Sequence, residues 1–292
     1  MVTSAIRSLL FTPGNHPAKV TKVFTSGADV AILDLEDSVA LSEKAATRTP
    51  VVEGLKTPRI CLGYVRVNAA DTEFYTDDLS AVVGPWLDGI VLPKVESADQ
   101  LVAADAEVRR LEEASDMLPG AIDIIPILET AKGLAAVSEI AGCDSRVRKL
   151  SFGAVDFAKD LGMRLSLDEW ELTPARSSIV LASRVAGLDA PLDSVWVHFK
   201  DTDGLVASAE RVRDMGFRGK MCIHPAQIAP VNGVFTPSDE EVARAETIVA
   251  AFEEAEAAGS ASIQIDGFFI DYPVVEQARR TLNLIKSIRG GG

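Results

Sequence analysis

The chain has 292 residues and is acidic, with 29 Lys and Arg against 43 Asp and Glu, a formal charge of −14. Its 47 % hydrophobic and 25 % charged residues are the make-up of a folded globular protein and exclude wholesale disorder, while its charge makes nucleic acid and anionic membrane poor partners. No apolar run approaches the roughly 20 residues of a bilayer span, Leu9–Phe11 is too short for a signal-peptide core, and Cys61, Cys143 and Cys222 form neither a disulfide framework nor a metal-binding spacing, so a reduced, cytoplasmic protein is expected.

Short β-rich apolar runs recur along the chain: Ser8–Thr12, Val30–Leu35, Ile60–Val67, Gly89–Pro93, Ile122–Leu128, Lys149–Val155, Ser194–Phe199 and Lys220–Ile223. Most starts fall about 25–30 residues apart, the length of one strand-plus-helix unit. The runs are apolar throughout rather than alternating, as in a parallel sheet covered by helices. Between them lie amphipathic stretches. Leu101–Glu113 places Leu101, Val102, Ala104, Val108 and Leu111 on one stripe, and Ser177–Ala186 does the same with Ile179, Val180, Ala182, Val185 and Ala186. Eight such units predict an α/β chain folded as a (β/α)8 TIM barrel over residues 1–235. A doubly wound sheet is the runner-up, and it lacks the Gly-x-Gly-x-x-Gly expected after its first strand.

Residues 236–292 read as an appendage. A capping box at Ser238–Glu241 opens a helix through Phe252 that Gly259 ends. A hairpin follows, with Ser262–Ile265 and Phe268–Ile270 joined at Asp266-Gly267, and then a helix from Pro273 to Ile288. Gly290–Gly292 is expected to be a flexible end. The whole tail is thus helix–hairpin–helix.

In a (β/α)8 barrel the reactive groups sit where strands end on the C-terminal face. That rule selects Pro13-Gly14-Asn15, then Asp34, Glu36 and Asp37, then Arg66 and Asn68, Lys94 and Glu96, Glu129 and Thr130, Asp156, His198, Lys200 and Asp201, and His224. Glu36, Asp37, Glu129 and Asp156 around one arginine would repel one another without a cation. Mg²⁺ suits such a set, because it takes one or two carboxylates and keeps its other positions for water and substrate. Solvated loop charges and helix caps are the plainer reading of any single member. No Gly-x-Ser-x-Gly, His-Glu-x-x-His or Walker A loop is present, and three histidines, His16, His198 and His224, leave little room for a zinc site. Lys94 could serve as a Schiff-base lysine or pair with a nearby acid.

The blocks Arg7–Gly14, Leu33–Val39, Val65–Asn68, Val91–Glu96, Pro126–Thr130, Gly153–Phe157, Ile223–Ile228 and Ile270-Asp271 together resemble the citrate lyase β-subunit-like branch of the HpcH/HpaI aldolase superfamily, which includes citramalyl-CoA and malyl-CoA lyases. They cover nearly the whole chain in family order. The resemblance implies an enzyme, a carbon–carbon lyase that splits a malyl-, citramalyl- or citryl-CoA type thioester into a 2-oxo acid and a shorter acyl-CoA. It implies Mg²⁺ on Glu129 and Asp156, with Glu36 and Asp37 supporting its water shell. Arg66 would bind the small acid, Lys22 and the loop around Phe11 the CoA portion, and Asp271 would be the catalytic aspartate. A homo-oligomer, trimer or hexamer, is implied as well, with Asp271 delivered to a neighbour's barrel. Capping of the helix at Pro273 is the plainer reading of Asp271. Two departures stand out: Ala154-Val155 occupies a position where relatives often carry an acid, and Ala18 replaces a basic residue common in CoA-using relatives. The alternatives are the β subunit of an acyl-carrier-protein-dependent citrate lyase complex and a non-catalytic binding barrel.

Overall fold

The computed structural model describes residues 5–290. They form two compact units, Ile6–Asn232 and a second that runs from Gly233.

The first unit is a closed barrel of eight parallel strands in chain order: β1 Ser8–Pro13, β2 Val30–Asp34, β3 Leu62–Arg66, β4 Gly89–Leu92, β5 Asp123–Leu128, β6 Ser151–Phe152, β7 Leu192–Asp193 and β8 Gly219–Cys222. β1 pairs with both β2 and β8, which removes every free edge. Leu9, Val30, Ile32, Tyr64, Val91, Ile125, Ile127, Leu192 and Met221 pack together as the core. Bulky branched side chains at alternate strand positions fill a barrel of this size without leaving a pore.

The helices of this unit are α1 Pro17–Val23, α2 Lys44–Leu55, α3 Tyr75–Val82, α4 Ala98–Ala114, α5 Ala131–Ala135, α6 Val137–Gly142, α7 Ala154–Leu161, α8 Thr173–Val185 and α9 Thr202–Met215; α10 Ile228–Phe235 crosses the division between the units. On α4, Leu101, Ala104 and Val108 are buried as expected, but Val102 is 42 % exposed. On α8, Ile179 and Ala182 are buried, while Val185 is 80 % exposed. Both misplaced valines sit one position off the 3.6-residue stripe.

Two strands differ from the expected runs. Ala154 and Val155 belong to α7, so β6 keeps only Ser151 and Phe152. The run Ser194–Phe199 is loop, and β7 lies just before it. The reason is visible at Asp193. This strand residue is completely buried, and it faces Lys220 of β8 and Arg176 of α8, which are themselves buried. Glu169 and Ser208 extend that network, each bonded in turn to Arg176 or Glu169. A strand whose outward face is buried through ion pairs carries no apolar signature. Cys222 is buried, whereas Cys61 is only half-buried rather than fully enclosed.

The second unit contains α11 Asp239–Ala257, β9 Ile263–Ile265, β10 Phe268–Ile270 and α12 Tyr272–Arg289. Ser238 and Glu241 form both bonds of the expected capping box. β9 and β10 pair antiparallel across Asp266-Gly267. Ala245, Ile248, Phe252, Ile270, Val275 and Ala278 make a separate core, and Phe252 meets Tyr272 edge-on at 5.1 Å. Gly290 caps α12; Gly291 and Gly292 lie outside the described residues. Among the described residues no helix is long and apolar enough to cross a membrane.

Candidate active site

β2 and β3 end side by side, with Asp34 in register with Arg66. The Arg66 guanidinium donates from Nε to Asp34 Oδ1 at 2.6 Å and from Nη2 to Asp34 Oδ2 at 2.7 Å. Asp34 also accepts from the Glu36 and Ser38 main chain and from the Ser38 hydroxyl. Burial opposes its charge, but Arg66 and these donors outweigh burial and hold the carboxyl below its ordinary value. The Phe11 ring lies 4.7 Å from the guanidinium on another side. One edge of Arg66 is therefore occupied, and Nη1 lies 3.0 Å from Glu36 Oε2.

Glu36 is buried, and its other oxygen accepts from the ammonium of Lys94. Burial raises its pKa, and Arg66 and Lys94 offset only part of that rise. Asp37, the next residue, is exposed, with Oδ1 3.6 Å from Lys94 Nζ. Lys94 itself follows β4 in a left-handed conformation, φ +52°, and its main-chain N–H donates to Glu129 Oε1 at 2.8 Å.

Glu129 follows β5 and is 3 % exposed. Its carboxylate occupies space left by Gly153 at the end of β6; a Cβ there would lie 2.5 Å from Oε2. Asp156 stands in the first turn of α7. Burial, with the negative charges of Asp156 and Glu36, pushes the Glu129 carboxyl up to about 8. Glu129 accepts one hydrogen bond, on Oε1, and among the described residues neither its Oε2 nor the Asp156 carboxylate accepts any. Two adjacent carboxylates with unused oxygens and excess negative charge fit a hard divalent cation that completes its shell with water and substrate. No group of three or more His, Cys, Asp or Glu is gathered for a metal among the described residues.

Beside this cluster, a cavity of about 370 Å³ is lined by Phe11, Lys19, Lys22, Ser26, His224 and Pro225, among others. His224 Nδ1 accepts from the Ala226 N–H, and its ring stacks on Phe199 at 5.4 Å. The structure thus gathers Arg66, Glu36, Asp37, Glu129 and Asp156, and it places Phe11 and Lys22 on a common cavity. It does not recruit all the strand-end residues. Thr130 and Asp201 cap α5 and α9, and Glu96 pairs with the exposed Lys132. Asp271 belongs to the second unit, where it caps α12 by accepting from the Val274 N–H at 3.5 Å.

Sequence reasoning passed over one positioning residue. Lys44 is buried, and its ammonium donates to Leu35 O at 3.0 Å, Glu36 O at 2.8 Å and Asn68 Oδ1 at 2.6 Å. Asn68 is held in turn by Asp78, which pairs with Arg48. A lysine on an otherwise ordinary helix face gives no sign that it pins the turn bearing Glu36.

Comparison with known proteins identifies the family. The HpcH/HpaI aldolase/citrate lyase family matches residues 7–225. An L-malyl-CoA/beta-methylmalyl-CoA lyase of Cereibacter sphaeroides is 38 % identical over 93 % of this chain and 92 % of its own length. The citrate lyase subunit beta of Leuconostoc mesenteroides subsp. cremoris is 35 % identical over 95 % of this chain and 92 % of its own. The protein CitE from Mycobacterium tuberculosis, solved in complex with magnesium, acetoacetate and coenzyme A, superposes with a TM-score of 0.79 at 30 % identity, covering 98 % of this chain and 99 % of that one. The barrel, the family match and the likeness along the full length agree: the chain belongs to the HpcH/HpaI aldolase/citrate lyase family.

Proposed function

We propose that the protein is a Mg²⁺-dependent carbon–carbon lyase that cleaves a 3-hydroxyacyl-CoA thioester with a carboxylate on its hydroxyl carbon. The observation that carries this reading is the meeting of Glu129, Asp156, Glu36 and Arg66 at one barrel mouth. Relatives named as malyl-CoA lyase and as a magnesium- and coenzyme A-bound CitE support it.

Glu129 and Asp156 would hold Mg²⁺, which supplies Lewis-acid polarisation of the substrate's hydroxyl and carboxylate oxygens. Arg66 offers the donors left free by Asp34 to the substrate carboxylate. The hydroxyl proton passes to water, and the bond between the hydroxyl carbon and the thioester α-carbon breaks. Its electron pair stays on the α-carbon as a thioester enolate, and the hydroxyl carbon becomes the carbonyl of a 2-oxo acid. A proton returned to the α-carbon completes a shorter acyl-CoA. We assign that proton transfer to Asp271, supplied by a neighbouring copy in a trimer or a higher assembly of trimers. The cavity bearing Phe11, Lys19 and Lys22 is the place for the CoA portion, since two ammonium groups suit its phosphates. The absence of a base at Ala18 leaves these two lysines with that role. The expected setting is the cytoplasm.

The test is release of a 2-oxo acid from malyl-, citramalyl- and citryl-CoA with Mg²⁺ present. Release from at least one ester, abolished by chelation, is expected; no release from any overturns the reading. The 35 % identity to citrate lyase subunit beta supports a second reading, a subunit acting on an acyl-carrier-protein thioester. Cleavage of the carrier-bound ester alone would establish it.

A further inference from the structure

Lys94 makes two contacts in the site, one from its main chain and one from its ammonium, and its backbone conformation is unusual. A residue with a side chain is strained in the left-handed region, and such strain persists where the surroundings impose it. Here φ is +52°. The main-chain N–H is directed to Glu129 and the ammonium to Glu36.

The charges around Arg66 explain what the ammonium does. Asp34 and Glu36 both face the one guanidinium. Asp34 takes two aligned hydrogen bonds, whereas Glu36 Oε2 is buried at 3.0 Å without an aligned donor. With Lys94 present, two cations balance two buried carboxylates. Without it, Arg66 alone faces the Asp34 and Glu36 charges, and its pull on an incoming carboxylate is weakened.

We propose that Lys94 is a positioning residue with two separable roles: its ammonium neutralises Glu36 so that Arg66 stays available to the substrate carboxylate, and its main chain fixes Glu129. The proposal rests on the lyase reading of the site.

Calorimetry isolates the role of the ammonium, because each substitution at Lys94 keeps the main-chain N–H. Mg²⁺ is titrated first, then glyoxylate, pyruvate or oxaloacetate into the Mg²⁺-loaded protein. Lys94→Met keeps the N–H and removes the charge. It is expected to bind the 2-oxo acid at least tenfold more weakly and Mg²⁺ within about threefold of wild type. Lys94→Gly, which relaxes the backbone, is expected to show the same split with an unchanged or higher melting temperature. Lys94→Arg should retain most of the binding. The decisive variant is Glu36→Gln with Lys94→Met, which should bind the acid within about threefold of Glu36→Gln alone, because the uncompensated charge is gone. A purely structural role would weaken both titrations together and would not be relieved in the double variant. Wild-type acid affinity in Lys94→Met and Lys94→Gly, or no relief in the double variant, overturns the proposal. If the wild-type protein binds none of the three acids, the lyase reading falls and the proposal falls with it.

Discussion

As a proposed Mg²⁺ ligand, Glu129 would couple metal binding to protons. Burial and the neighbouring carboxylates hold its pKa near 8, against an ordinary value of 4.5. Between those limits the metal-free folded chain keeps a proton that the unfolded chain has lost. Its contribution to stability is therefore greatest at low pH and falls as pH rises towards 8. Mg²⁺ requires the ionised carboxylate, so its affinity should rise with pH and level off above about 8. Titrating Mg²⁺ in buffers of different ionisation enthalpy should release close to one proton per site at pH 6.5 and about a tenth of one at pH 9. Release that does not change with pH would mean that Glu129 is not the ligand. Strand-end position alone pointed to Glu129, Arg66 and Glu36 in the sequence. What it could not give was their pairing. Asp34 and Lys94 were picked out by position, yet nothing in a linear pattern says that one takes an edge of Arg66 and the other straddles two carboxylates. Lys44 was silent because its acceptors are mostly main-chain carbonyls, which every residue carries.

At the scale of elements, the ends of β5 and β6 form one device. β6 is short because the chain turns into α7 at Ala154, which brings Asp156 beside Glu129 in one helical turn. The turn works only with glycine at 153, where a Cβ would also lie 2.6 Å from Glu129 Cβ and 2.9 Å from Ile127 Cγ2. Gly153→Ala should therefore displace Glu129 and weaken Mg²⁺ about 10- to 100-fold, with a stability loss of about 1–3 kcal/mol. Calorimetry and thermal melting check both, and unaltered Mg²⁺ affinity would contradict the device. Most elements were legible, because parallel strands covered by helices read as apolar runs. β7 was not, since its Asp193 is buried by Arg176 and Lys220 rather than by apolar contacts. The exposed Val102 and Val185 show that an apolar stripe in the sequence includes neighbours one position off the buried face.

For the whole molecule, the second unit carries Asp271, Phe268 and Phe269, with the two phenylalanines 58 % and 68 % exposed. Exposed aromatic pairs of this kind seek apolar cover, and a neighbouring copy would supply it while delivering Asp271. Capping of α12 is compatible with that role, because the Asp271 carboxylate has a second oxygen. Asp271→Ala mixed with Arg66→Ala under subunit exchange should recover activity that neither variant has alone; exchange without recovery would remove the shared site. Order along the chain made the barrel and the tail legible, whereas assembly depends on surfaces whose partners lie outside one chain's sequence pattern. The most direct test of a Mg²⁺-dependent lyase at this mouth is 2-oxo acid release by the wild-type protein, Glu129→Ala and Asp156→Ala across a Mg²⁺ titration. Saturable Mg²⁺-dependent release by the wild type is expected, with both variants at least about 100-fold slower and no longer responsive to the metal. Wild-type Mg²⁺ response and turnover in either variant would contradict the account.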